Sequence, residues 1–313
     1  MKHWIEAARL RTLPLSVSGI LVGSFYALAK PTDTVLTPTQ VFSWRIFILL
    51  LLTTIGLQVL SNFANDYGDG VKGTDNSDRI GPKRAIQSGV ISPKSMKLAI
   101  FITALVTFIF SVLLIYFAFE FKYFYYSIFF LLLGIVAIAS AIRYTVGKKA
   151  YGYKGFGDLF VFVFFGLVST YGSYFMFSKY LDWTLLLPAI AIGFLSVGVL
   201  NLNNMRDEES DRKAGKNTIV VKIGGAKAKQ YHYFLLITAM VLLFIFGIIQ
   251  DFALDQYLYL IVFLPLISHI MRVKRNQNPA DLDPELKRLA ISTFLVSLLL
   301  SLCLIYFISD VIV

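Results

Sequence analysis

Charge is scarce in this chain. Asp, Glu, Lys and Arg make up 15% of its 313 residues, against about 25% in soluble domains. A fold in water needs charged side chains over most of its surface. Here they are confined to a few short stretches, which excludes an ordinary soluble protein. Cysteine is rarer still. Cys303 stands alone in an apolar run, excluding an intrachain disulfide and a Cys-rich metal centre. His3, His232 and His269 have no metal-ligand spacing and are assigned no chemistry. A cleavable leader is not expected either, because Met1-Lys-His-Trp-Ile-Glu6 carries an acid and no small-residue cleavage site follows.

What is present is apolar: 57% of the residues are hydrophobic. A membrane-spanning helix needs about 20 largely apolar residues. Nine stretches qualify: Leu13–Ala29, Trp44–Ala64, Met96–Ala118, Tyr123–Ile142, Phe156–Phe177, Thr184–Met205, Tyr231–Ile249, Tyr257–Val273 and Leu289–Ile312, the first and eighth being short. On a nine-helix zigzag, all but four of the 29 Lys and Arg fall on the side of the N-terminus; the exceptions are Lys30, Arg45, Lys122 and Lys179. The positive-inside rule then predicts a cytoplasmic N-terminus and an outside C-terminus in a multi-pass protein of the cell (inner) membrane. The expected fold is all-α, one transmembrane domain over residues 1–313.

Two polar loops resemble each other. The first follows Asn62-Phe-Ala-Asn65-Asp66-Tyr-Gly-Asp69 and the second contains Asn201-Leu-Asn-Asn204-Met-Arg-Asp207-Glu-Glu-Ser-Asp211. Four helices separate them, which suggests two four-helix halves sharing a central cavity, plus a ninth helix. If the second helix continues through Asp69, then Asn62, Asp66 and Asp69 stand at i, i+4 and i+7 on one face; Asn204, Asp207 and Asp211 are close to the same spacing. Carboxylates crowded at a membrane boundary repel each other and lose hydration, so they call for cations. Mg²⁺ fits, because it takes oxygen ligands from one or two carboxylates and from substrate phosphates.

Basic residues accompany both motifs: Lys72, Arg79, Lys83 and Arg84 after the first, Arg206, Arg212, Lys213 and Lys216 with the second, and Arg143 between them. Acids, metal and cations together suit a diphosphate, whose departure from carbon they stabilise. One acid at a helix end is as often a cap as a ligand, but two Asn-then-Asp faces on one predicted side, both flanked by Lys and Arg, favour a site. The basic run Arg272–Arg288 is read instead as a topology signal in contact with anionic lipid. Most of the 17 Tyr and 28 Phe are read as packing or lipid-facing, a few as ring faces for a carbocation.

Five stretches carry a resemblance: Arg11-Thr-Leu-Pro-Leu-Ser16, Asn65-Asp-Tyr-Gly-Asp-Gly-Val-Lys-Gly-Thr-Asp75, Arg143-Tyr-Thr-Val-Gly147, Tyr151-Gly-Tyr-Lys-Gly-Phe-Gly-Asp158, and Asn203-Asn-Met-Arg-Asp-Glu-Glu-Ser-Asp-Arg-Lys-Ala-Gly-Lys-Asn-Thr218. With them the chain resembles the intramembrane aromatic prenyltransferases of the UbiA superfamily, most closely the branch acting on 1,4-dihydroxy-2-naphthoate. Gly73 stands where relatives that prenylate hydroxybenzoate carry a further Asp, which favours the naphthoate branch. The resemblance implies nine helices around a cavity and Mg²⁺ held by Asn62, Asp66, Asp69, Asp207 and Asp211, the four carboxylates being catalytic. It implies diphosphate contacts from Lys72, Lys83, Arg84, Arg143, Lys213 and Lys216, and acceptor contacts from Arg143, Tyr144, Lys148, Asn201 and Asn204. The substrates would be a polyprenyl diphosphate and an aromatic acceptor; membrane lipids are the surroundings and no nucleic acid is expected. Competing readings are a superfamily member using 4-hydroxybenzoate or homogentisate, a transporter of anionic lipid, and a structural membrane subunit.

Overall fold

The computed structural model describes residues 2–30, 42–75, 80–120 and 122–312, apart from the side chains of Arg11 and of residues 306–312. Among the described residues there are helices and turns but no strand. The main helices are α1 Leu13–Ala29, α2 Trp44–Lys72, α3 Pro93–Phe119, α4 Phe124–Arg143, α5 Gly157–Ser178, α6 Trp183–Arg206, α7 Gly225–Ile249, α8 Leu254–Arg275 and α9 Asp283–Ile312. Eight described helices, α2 to α9, are long and apolar enough to cross a bilayer. α1 reaches that length only together with Lys2–Ala8, from which it is bent by 53°. The nine expected spans are therefore all helical, and the short first one is the broken one.

The short eighth span has a different remedy. α8 opens in the tighter 3₁₀ form over Leu254–Val262 before Phe263–Arg275 continues as α-helix. At 2.0 Å and then 1.5 Å of rise per residue, its 22 residues reach about 38 Å, more than the hydrocarbon core requires.

Local chemistry sets the helix ends. Pro93 occupies the first turn of α3, where its missing N–H costs nothing, and the Ser92 hydroxyl accepts from the Ser95 N–H at 3.1 Å. α2 stops at Gly73, whose φ of 72° is the left-handed cap that glycine adopts without strain. Because α2 runs as far as Lys72, the expected continuation of the helix through Asp69 holds.

Burial follows the bilayer rather than water. α4 buries only Ala137, and α3 exposes Phe101, Leu105 and Ile109, so both turn apolar surface to lipid. α6 is the most enclosed span. It meets α5 where that helix widens into π-helical turns over Phe162–Val168. A Cβ on Gly166 would stand 2.6 Å from the Ala189 carbonyl and from Gly193 Cα, so only glycine lets these two backbones touch.

Candidate active site

A cavity of about 360 Å³ opens among α1 to α6 and the start of α9. Along α2 its lining runs from Leu50 to Asp69, roughly 28 Å at 1.5 Å per residue, so it extends through much of a bilayer's thickness. Deep inside it is mostly apolar, with Leu50, Leu114, Ile115, Phe130 and Met176 beside the hydroxyls of Thr53, Ser111 and Ser173. At its mouth it is charged, with Asp69, Asp75, Asp207 and Asp211 beside Arg9, Arg84, Lys216 and Lys287.

Both acidic motifs reach this mouth. Lys216 joins them: its Nζ lies 3.6 Å from Asp69 Oδ2 and 3.5 Å from Asp211 Oδ1. Lys216 is 6% exposed; burial lowers its pKa, but the two carboxylates outweigh that and hold it well above the ordinary lysine value. Burial pushes Asp211 up to about 6, with Asp207 and Asp69 adding to the rise and Lys216 opposing it. Tyr153 fastens the first motif, donating from its hydroxyl to Asp69 Oδ1 at 2.8 Å and sharing a hydrogen bond of 2.5 Å with Thr74. Lys72 Nζ lies 4.0 Å from the centre of the Tyr153 ring and donates to the Thr145 carbonyl at 2.7 Å. Arg206 fastens the second motif, bonding Asp207 at 2.7 and 2.9 Å and Asn203 at 2.8 Å, and pairing with Asp283 at the start of α9. Across the mouth stands an aromatic wall: Tyr151 stacks on Phe160 with centroids 3.9 Å apart, and Tyr144 meets Tyr151 edge-on at 5.4 Å.

The expected site residues divide. Asn62, Asp69, Arg84, Tyr144, Asp207, Asp211 and Lys216 line the cavity. Asp66, 1% exposed, sits behind the wall, where its Oδ2 accepts from the Ala85 N–H at 3.2 Å and anchors the following loop. Asn62 lies on the wall but spends its amide N–H on the Ala8 carbonyl at 2.9 Å. Lys83, Arg143, Lys148 and Lys213 are exposed and outside the cavity lining, as is Lys72. Asn201 and Asn204 are buried away from it, Asn201 donating to the Ala228 carbonyl of α7 at 3.1 Å. The inward face of the second motif is Asn203, Asp207 and Asp211: the Asp207 N–H donates to the Asn203 carbonyl and the Asp211 N–H to the Asp207 carbonyl, so helical spacing carries through Asp207, and Asn201 and Asn204 turn away from the cavity. Arg79 lies outside the described residues.

The residues fit a hard divalent cation. Asp211 Oδ2 is buried with no hydrogen-bond partner among the described residues, an oxygen able to meet a cation. No three described Asp, Glu, His or Cys groups stand as a ready-made metal cluster. Mg²⁺ does not require one, since it completes its shell with water and substrate phosphate.

The family model for the UbiA prenyltransferase family matches residues 24–298. The chain belongs to the UbiA prenyltransferase family. Relatives named 1,4-dihydroxy-2-naphthoate octaprenyltransferase include that of Haemophilus influenzae, 42% identical over 97% of this chain and 96% of its own. That of Escherichia coli is 41% identical over 95% and 92%. Among solved structures, a UbiA homolog from Archaeoglobus fulgidus bound to GPP and Mg²⁺ shares the fold, with a TM-score of 0.67, 16% identity, and coverage of 98% of this chain and 99% of that one. The nine-span fold read from hydropathy is thus that of the UbiA family.

The sequence reading missed several members of this assembly. Tyr153 lies in a stretch already matched to the family, and a tyrosine two residues from a glycine turn before an acidic span end was its only signal. Two of the three histidines given no chemistry meet: His232 Nε2 is 2.9 Å from His269 Nε2, and His269 Nδ1 is 2.6 Å from Glu285, which also binds Arg272 and Arg288. This cluster ties α7, α8 and α9 together outside the cavity.

Proposed function

We propose that the chain transfers a polyprenyl group from its diphosphate to 1,4-dihydroxy-2-naphthoate, releasing diphosphate and CO₂ and giving a demethylmenaquinol. The observation that carries this is the bridge Asp69–Lys216–Asp211, which draws both acidic motifs to the charged mouth of a long apolar cavity. A diphosphate with a hydrocarbon tail has that same division of polarity. The relatives' names supply the acceptor.

Asp69, Asp207 and Asp211 would hold Mg²⁺, with Asn62 beside them and Asp66 fixing the first motif from behind. When bound, Mg²⁺ supplies positive charge to the departing diphosphate. Lys216 and Arg84 face the same space and neutralise the remaining phosphate charge. As the C–O bond breaks, its electron pair leaves with the diphosphate and the allylic carbon becomes electrophilic. The faces of Tyr144, Tyr151 and Phe160 favour that developing cation, and the apolar wall keeps water from capturing it. The naphthalene carbon that bears the carboxylate then bonds to the allylic carbon. Its bond to the carboxylate breaks, CO₂ departs, and the pair returns to the ring. No enzyme nucleophile is needed; the chain's contribution is positioning and charge. The charge asymmetry of the loops supports a reading in which this mouth and the N-terminus lie on the cytoplasmic side of the cell membrane.

The test is a radiolabelled polyprenyl diphosphate with Mg²⁺ and the purified protein, offered 1,4-dihydroxy-2-naphthoate or 4-hydroxybenzoate. Prenylated product from the naphthoate alone supports the reading. Product from hydroxybenzoate instead moves the chain to another acceptor. No product and no diphosphate release from either would remove the transferase reading in favour of lipid transport.

A further inference from the structure

Four Lys or Arg side chains line the cavity among the described residues, and three already face partners within the protein. Lys216 bridges the two acidic motifs. Arg84 Nε is 3.9 Å from Asp75. Arg9 faces the Asn65 amide oxygen at 3.2 Å in the orientation that satisfies both groups. The fourth, Lys287 on α9, has no ion-pair or hydrogen-bond partner among the described residues. Lys287 is exposed at the rim of a largely apolar cavity, and its ammonium, with three donors and no partner among the described residues, can take an anion brought by substrate.

Its height in the cavity says which anion. Arg206 bonds Asp207 and pairs with Asp283, so Asp283 fixes where α9 passes the acidic layer. Lys287 lies four residues further along α9, about 6 Å deeper at 1.5 Å per residue. Helical side chains lean toward the N-terminus of their helix, so the Lys287 ammonium is directed back to the space just beneath the acids. The diphosphate belongs with the acids and Lys216, and its tail continues into the apolar depth. The ring that attacks the first allylic carbon must sit beside that carbon, one layer below the diphosphate. The lining of α9 ends at Ala290, so Lys287 serves only this layer.

Resting on the acceptor reading above, we propose that Lys287 binds the carboxylate of the naphthoate acceptor and gives the site its preference for a carboxylated over an uncarboxylated 1,4-diol. The ion pair is made to the ground-state carboxylate, whose charge disappears as CO₂ forms. It therefore contributes to acceptor binding and not to the chemical step.

The experiment measures KM and kcat for 1,4-dihydroxy-2-naphthoate, for 1,4-dihydroxynaphthalene and for the prenyl diphosphate, using full-length wild type, Lys287→Met and Lys287→Arg. For Lys287→Met the naphthoate KM is expected to rise about tenfold or more, the scale of a lost charge-assisted hydrogen bond. KM for the diol and for the prenyl diphosphate should not change, and Lys287→Arg should recover most of the loss. Because Lys287 is exposed and has no partner among the described residues, the Met variant should fold, and an unchanged KM for the prenyl diphosphate reports that it has. An unchanged naphthoate KM overturns the inference while leaving the transferase intact. A rise in the prenyl diphosphate KM also overturns it, by assigning Lys287 to the other anion. If wild-type protein prenylates neither diol, the activity reading itself has failed, and this inference fails with it.

Discussion

Replacing Lys216 with methionine should destabilise the protein most when no divalent cation is present. Lys216 faces Asp69 at 3.6 Å and Asp211 at 3.5 Å, and all three residues are 6% exposed or less. At an effective dielectric of 20, each contact is worth about 4–5 kcal/mol of Coulomb energy, most of it offset by desolvation of the groups. Removing one member of such a buried set leaves the others uncompensated, at a net cost of about 3–5 kcal/mol. Methionine keeps the length of the side chain, so the loss is one of charge and not of packing. At roughly 2 °C per kcal/mol for a large domain, melting of the detergent-solubilised variant in EDTA should fall by about 6 °C or more relative to wild type. Mg²⁺ can substitute for the lost charge, so adding it should narrow the gap. Identical melting of the two proteins in EDTA would refute the reasoning, because it would mean that Lys216 neutralises nothing there.

Asp69→Asn and Asp211→Asn should each lower diphosphate release by about a hundredfold or more, the scale of losing one preorganised charge in a transition state, measured with saturating Mg²⁺ and prenyl diphosphate. Chelation by EDTA should abolish release and readdition of Mg²⁺ should restore it; full activity in EDTA would contradict the metal's part. Glu285→Ala should cost about 3 kcal/mol in thermal or denaturant unfolding by leaving Arg272, Arg288 and His269 without their carboxylate, while both substrate KM values stay put, since this cluster lies outside the cavity. Gly166→Ala should lower stability by about 1–3 kcal/mol, because the added Cβ meets the backbone of α6, and a matching melt for wild type and variant would show that the helices can part.

The spans were legible because hydropathy reports what faces lipid, and the lopsided distribution of Lys and Arg constrained their number independently. The metal end was legible in part. Asp69, Asp207 and Asp211 stand where the two motifs suggested, since helix periodicity carries α2 through Asp69. For the second motif the helical spacing holds through Asp207, but the inward face contains Asn203, four residues before Asp207, and not Asn201 or Asn204. Proximity in sequence also misled. Lys83, Arg143, Lys148 and Lys213 neighbour the motifs yet project from loops and helix ends into the surroundings, whereas Lys287, 71 residues beyond Lys216, reaches the mouth because Asp283 and Arg206 bring α9 to α6. The pairing of His232 with His269 had no sequence signal, because it depends on how α7 and α8 pack.

The most direct test of the central claim is the simultaneous count of diphosphate and CO₂ released by the purified protein with Mg²⁺, a polyprenyl diphosphate and 1,4-dihydroxy-2-naphthoate carrying a labelled carboxylate. The account predicts one CO₂ for each diphosphate and one prenylated naphthoquinol for each pair. Diphosphate released with the label still on the product, or a prenyl diphosphate recovered intact, would contradict it.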